Sequence, residues 1–482
     1  SMSRVTPFSS SPSSRAMCLI VVDRVMLKKI VFPTSTTAAT GTGTTDGAST
    51  SSTGTPATLH IEPAEQVVTV ASGWSFPAQF TAVLDDGQPM TVPAVWSLDD
   101  ASLGRVTKHG GTFTARNTAG GTAMLTAEYA GLTASATVEV QIVDDHPVCP
   151  PRPPLTDGPP TPGAYVKVVA PEYQGTGVYH GLYLPPDWQP GRTYPVIVES
   201  PCNKYGEFTG KIEGMRLGYG LAGCRSFIWL TLPYIQNQAD LDYGWGEQDK
   251  VLAYWQTNLA RTLAQFGGDP GAVFLSGFSR GAIGASWVGL YDPTIADAWL
   301  GFFMFSHADV PGSNLTPDVG AGATTRMGRV AGRASLFAWG AVGDGGMTNS
   351  VKGAQLLESF GDPVTKFAVP NVGHTDVWIE SDAVTRAQAQ DWLFSNLAAR
   401  TGTGAVFGRV TDGQGAAVAG ATITAGPLHA TTTDAFGYYA LRGLLPGSRT
   451  IACAHPQLSC SSPQMVAVAV AGEVEDVDFT AK

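Results

Sequence analysis

Five consecutive residues, Gly277-Phe278-Ser279-Arg280-Gly281, constrain the fold of this chain more than any other stretch. A short apolar run, Ala272-Val273-Phe274-Leu275, leads into them, and small residues, Gly281-Ala282-Ile283-Gly284-Ala285-Ser286, lead away. The first run reads as a buried strand and the second as a closely packed helix. Between them the chain must turn sharply, and glycine supplies the backbone freedom for such a turn. The Ser279 hydroxyl is thereby pushed out at the strand's C-terminal end, with a helix N-terminus beneath it. A bare G-x-S-x-G carries little weight among 57 glycines. The flanking strand and helix give it weight, and they make Ser279 the candidate nucleophile.

Around this turn, from Ala164 to about Arg400, strands and helices alternate. That is the pattern of a mainly parallel sheet with helices on both faces. Tyr165–Val169 and His180–Leu184 read as an opening hairpin, and Pro195–Glu199 and Phe227–Leu232 as the next strands. Asp249 to Phe266 has helical spacing. After the Ser279 turn come strands in Trp299–Phe305, Ala334–Trp339 and Lys366–Val369, a helix near Val351–Ser359, and a closing helix over Ala383–Ala399.

Both flanks read differently. At 482 residues the chain exceeds one ordinary core, and composition divides it. Residues 1–56 end in a Thr/Ser/Gly-rich stretch from Pro33 that lacks the apolar content to fold and reads as a tether. Residues 57–143 carry short alternating segments separated by turns such as Asp85-Asp86-Gly87, the signature of a β-sandwich. Residues 144–163 are proline-dense and read as a stiff spacer. Residues 164–401 are the α/β unit, and residues 402–482 return to β-rich sequence. The expected fold is thus a multidomain chain with an α/β domain between two all-β sandwich domains.

The N-terminal flank, through Val95-Trp96-Ser97-Leu98-Asp99-Asp100 and Gly111-Thr112-Phe113-Thr114-Ala115, resembles the bacterial Ig-like domain family. That resemblance makes Trp96 a core residue. The C-terminal flank resembles the carboxypeptidase regulatory-like domain through four motifs in order, Val406–Asp412, Val418–Ile423, Thr432–Tyr439 and Leu444–Gly447. No catalysis is assigned to it.

Charged residues make up only 14% of the chain and the net charge is -11, which argues against nucleic acid and anionic membrane surfaces. The apolar stretch from Met17 to Phe32 is broken by Asp23, Arg24, Lys28 and Lys29, so it is neither a membrane span nor a tidy signal peptide. Six cysteines match no zinc spacing. Cys453 with Cys460, and Cys202 with Cys224, are candidate disulfide pairs, with buried free thiols as the alternative.

Residues 164–401 resemble the α/β-hydrolase superfamily, especially secreted esterases related to polyhydroxybutyrate depolymerases and feruloyl esterases. The resemblance implies a nucleophile, an acid and a histidine in that chain order. His374, in Gly373-His374-Thr375-Asp376 after the last strand, is the expected general base. Asp344, in Gly343-Asp344-Gly345-Gly346, is the expected acid, with Asp309 as its rival one strand earlier. Asp376 reads as a helix-start residue and His180 as structural. One oxyanion-hole N–H is expected from Arg280. The second is expected from Cys202 or Asn203, since Pro201 has none to offer. Tyr205, Tyr234, Trp245, His307 and Trp378 are the candidate substrate-binding residues, with Tyr219 and Tyr243 nearby.

The resemblance implies acyl-enzyme hydrolysis of a polymeric or carbohydrate-linked ester by a secreted or cell-surface monomer that needs no metal or organic cofactor. A serine peptidase of the prolyl oligopeptidase type, or a surface adhesin with a relic hydrolase domain, are the alternatives.

Overall fold

The computed structural model describes residues 57–71, 75–116, 118–143, 150–222 and 225–482. The expected tether, the first six residues of the proline-rich spacer, and Cys18, Cys149 and Cys224 lie outside the described residues. A central α/β domain is flanked by two smaller β-sheet domains.

The central sheet contains β1 (Leu155–Thr156), β2 (Tyr165–Val168), β3 (His180–Tyr183), β4 (Tyr194–Ser200), β5 (Ile228–Thr231), β6 (Gly268–Phe278), β7 (Gly301–Phe305), β8 (Ala334–Gly340) and β9 (Val364–Val369). Their order in space is β1-β2-β3-β5-β4-β6-β7-β8-β9. The hairpin β2–β3 is antiparallel, and β3 also runs antiparallel to β5. From β5 through β9 all neighbours are parallel. Parallel neighbours need long crossovers, and four principal helices supply or follow them: α1 (Gln248–Phe266), α2 (Arg280–Trp287), α3 (Met347–Phe360) and α4 (Ala383–Ala399).

The apolar strand runs follow from burial on both faces. Successive side chains alternate between faces. Val196, Val198, Val273, Leu275, Phe302 and Met304 therefore enter one core with Tyr254 and Trp255 of α1 and Ala282 of α2. Ile197, Phe274, Phe303 and Phe305 enter the other with Trp392 and Leu393 of α4. Each large apolar side chain withdrawn from water in this way contributes roughly 1.5–3 kcal/mol. All five parallel strand ends that matter for the site (β4, β6, β7, β8 and β9) open on the same rim.

Residues 58–143 form the first β domain, with Glu65–Ala71, Leu132–Val143, Gly121–Tyr129 and Val95–Leu98 in its larger sheet. Its core buries Trp96 with Phe80, Phe113, Leu125 and Val138. Residues 404–480 form the last domain from two four-stranded sheets around Val406, Ile423, Leu441 and Phe479. There Cys453 and Cys460 are disulfide-bonded. Of the other candidate pair, Cys224 lies outside the described residues. Cys202 is a free thiol packed against the second core of the α/β domain, and burial pushes that thiol up to about 12.

Candidate active site

The turn at Ser279 has the geometry that its glycines require. Ser279 itself takes φ 56° and ψ −117°, a region that non-glycine residues enter only when surrounding structure enforces it. Two contacts hold it there: its N–H donates to Phe305 O of β7 at 2.9 Å, and its carbonyl accepts from Ile283 at 3.1 Å. A Cβ on Gly277 would stand 2.1 Å from the Gly281 carbonyl carbon, and one on Gly281 would stand 2.2 Å from Ser200 O. Glycine at both positions lets α2 pack directly against β4 and β6.

Three side chains from separate strand ends meet at this rim. His374 Nε2 lies 2.9 Å from Ser279 Oγ, and His374 Nδ1 lies 2.8 Å from Asp344 Oδ1. Asp344 follows β8, and its side chain has no solvent exposure. Burial by itself would raise its pKa. Hydrogen bonds from His374, Ser306 and the N–H groups of Gly346 and Gly340 outweigh that and hold it down at about 2. Ser306 directly follows β7 with φ 57° and donates its hydroxyl to Asp344 Oδ2. It is a support that no local pattern in the sequence marked. The imidazole of His374 also packs on the ring of Phe278, with centroids 4.8 Å apart.

Asp309 is engaged elsewhere: it is buried and bonded to Arg326 Nε at 2.6 Å, and Arg326 also grips Asp318. Asp376 is buried with Arg216 Nε at 3.4 Å, and burial pushes its carboxyl up to about 7. His180 lies within β3, buried, with Nδ1 2.9 Å from the Tyr254 hydroxyl.

The residue after Ser279 does more than its N–H. Arg280 is buried, and its guanidinium donates to Pro201 O (3.2 Å), Gly244 O (2.7 Å) and Gly210 O (2.8 Å) while lying over the Tyr234 ring. It thus ties together the two loops that border the serine. Arg280 N is at the first helical position, where no intrahelical acceptor exists. In the loop after β4, Lys204 N and Tyr205 N donate to Asp242 O and Phe208 O. The N–H groups of Cys202 and Asn203 have no acceptor among the described residues.

A cleft of about 340 Å3 opens over Ser279, lined by Asn203, Tyr243, Trp245, Arg280, His307 and Leu315, among others. Trp245 donates its indole N–H to Leu315 O at 2.9 Å and so pins the segment after β7 across the cleft. Burial, and then neighbouring His374, push His307 down to about 4, which leaves it neutral near pH 7. Three of the expected substrate contacts need correction. Tyr234 is wholly buried, supporting Trp245 and Arg280. Trp378 is 1% exposed and packs on Phe305. Tyr205 is exposed but does not line the cleft. Tyr219 is buried as well, whereas Tyr243 is 65% exposed at the cleft mouth. Among the described residues, no cluster of His, Cys, Asp or Glu is arranged to hold a metal ion, and no helix is long and apolar enough to cross a membrane.

Residues 405–482 match the family model described as carboxypeptidase regulatory-like domain. No curated protein matches the chain. Among solved structures, the chain is similar to an S-formylglutathione hydrolase from Agrobacterium tumefaciens, at 15% identity and TM-score 0.35, covering 45% of this chain and 90% of that one. It is also similar to a thermostable esterase from Pseudomonas putida, at 15% identity and TM-score 0.36, covering 48% and 82%. A third is a carbohydrate esterase from gut microbiota, at 13% identity and TM-score 0.35, covering 48% and 99%.

Proposed function

We propose that this chain is a serine hydrolase of carboxylic esters that works through an acyl-enzyme. One observation carries the reading: the unbroken hydrogen-bond chain Ser279–His374–Asp344, at 2.9 and 2.8 Å, on the C-terminal rim of a mainly parallel sheet. A serine hydroxyl is a weak nucleophile until a base takes its proton. Here His374 Nε2 receives that proton as Ser279 Oγ attacks the ester carbonyl. Asp344 accepts from Nδ1–H, fixes the tautomer and stabilises the imidazolium. The carbonyl electrons move onto oxygen, where the N–H of Arg280 and that of Cys202 or Asn203 are the donors for the oxyanion. Collapse expels the alcohol, which takes the proton from His374. Water, deprotonated by the same imidazole, then releases the acid and restores the serine.

The cleft bears on the substrate. Its exposed Tyr243, together with Trp245 and Asn203, offers an aromatic wall and polar groups in one small site. That combination suits a ring-bearing acyl or sugar moiety of a polymeric or carbohydrate-linked ester, met outside the cell. Fluorophosphonate labelling should mark wild type and leave Ser279→Ala unmarked. A panel of p-nitrophenyl esters against peptide p-nitroanilides should show turnover of esters alone. Equal labelling of the alanine variant would remove the mechanism, and preference for anilides would replace esterase with peptidase.

A further inference from the structure

At the opposite end of β6 from Ser279, the three folded domains meet around a cavity of about 380 Å3. Four arginines line it: Arg105 and Arg116 from the first β domain, Arg400 from the end of α4, and Arg442 from the last domain. Glu473 is the one carboxylate in the lining, and an adjoining cavity of about 450 Å3 adds Asp269. Two of the arginines have partners. Arg105 pairs with Glu473 at 2.8 Å, and Arg400 pairs with Asp269 at 2.6 Å. Arg442 and Arg116 make no ion pair among the described residues. Arg442 stacks on Phe407 at 4.8 Å, and its Nη1 is buried without an acceptor. Leaving a charged donor buried and unpaired is costly. Burial, followed by repulsion from Arg105 and Arg400, lowers the Arg442 pKa to about 10, so the like charges sense one another. In a chain of net charge -11 this concentration of positive charge stands out.

We infer that this three-domain seam is an anion-binding site that takes a phosphate or sulfate group, free or esterified to a small organic body, on Arg442, Arg105 and Arg116. Planar guanidinium groups suit such oxyanions bidentately. The cavity falls within the roughly 300–1,000 Å3 range of small-molecule sites. An anion there would bridge residues of the two β domains and hold both against the base of the catalytic sheet. Gly271, beside the seam, is roughly 26 Å from Ser279 along the extended β6, at about 3.3 Å per residue.

The test is calorimetric titration of the full chain with sodium sulfate against sodium chloride at constant ionic strength, with glucose 6-phosphate in a second arm. One saturable site per chain is expected, weakened tenfold or more in Arg442→Gln and several-fold in Arg116→Gln, with p-nitrophenyl ester hydrolysis unchanged in both variants. Equal affinity for the two probes assigns the site to the free anion. Tighter binding of the sugar phosphate assigns it to an ester. Should Arg442→Gln lose its near-ultraviolet circular dichroism, Arg116→Gln decides, because its side chain is exposed. Absence of saturable binding, or undiminished affinity in whichever variants fold, overturns the inference.

Discussion

Asp344 is the residue on which the proposed chemistry turns, because its charge is what an imidazolium would lean on. Its folded-state pKa near 2 lies below the ordinary carboxylate value. It therefore contributes stability that is present above about pH 4 and is lost as pH falls through 2. Asp344→Asn keeps the shape but favours the wrong histidine tautomer, and kcat should fall about 10³–10⁴-fold with little change in KM. Ser306→Ala removes one donor to the same carboxylate. The Asp344 pKa should rise, and the acid loss of stability should begin at higher pH in thermal melts between about pH 2 and 5; an unmoved profile would deny Ser306 its hold on the carboxylate. Asp240 shows the reverse sign. It is buried, neither carboxylate oxygen has a hydrogen-bond partner, and burial lifts it to about 7. Its stability contribution is intact below about pH 4 and is lost as pH rises through 7. Asp240→Asn should thus stabilise the fold at pH 8, by about 1–3 kcal/mol, and change little at pH 4. Thermal melts at the two pH values check this.

At the scale of elements, the turn between β6 and α2 concentrates the constraint. A methyl group on Gly281 would meet Ser200 O at 2.2 Å, so β4 and α2 would have to part. Neither is a flexible side-chain end that moves aside cheaply. Gly281→Ala should cost about 2 kcal/mol or more. Because Ser200 leads into the loop that carries Cys202 and Asn203, the change should also slow fluorophosphonate labelling. A melting temperature and labelling rate both equal to wild type would show that the turn tolerates more than its contacts suggest. Arg280 works at the same scale, since its guanidinium holds the 201–210 and 241–244 segments by their carbonyls.

Across the whole molecule, the last domain is docked on the catalytic one through specific contacts. Asp297 accepts from Arg449 at 2.8 Å through its side chain and lies 2.8 Å from His429 Nε2 through its carbonyl. Beside them, Leu428 is buried in the same core as Val273 and Trp299. An apolar residue shared in this way couples the unfolding of two domains. Leu428→Ala should cost roughly 2–5 kcal/mol. In calorimetry, the variant should split or broaden a single transition of the wild type, and an unaltered trace would mean that Leu428 does not couple the two domains.

Alternation of apolar residues already separates three folded units in the linear chain, because strand and helix periodicities are local properties of sequence. The Ser279 turn is equally legible as a turn, since Gly277 answers to the Gly281 backbone four residues on, although Gly281 answers to Ser200 on a strand distant in sequence. His374 and Asp344 could be picked out because each follows a strand in the chain order that the α/β-hydrolase resemblance implies, with Asp309 as the rival acid. The fate of individual aromatics was not legible. Tyr234 and Trp378 are buried while Tyr243 and Trp245 face the cleft, although all four sit beside strand ends. Nor did any local pattern single out Ser306, or the segment around Leu315 that crosses the cleft. Burial of a loop side chain depends on which distant loops close over it, and hydroxyl–carboxylate contacts depend on strand neighbours far apart in sequence. Local patterning therefore determined the elements and the chemical cast, and long-range packing alone decided which members reach the substrate.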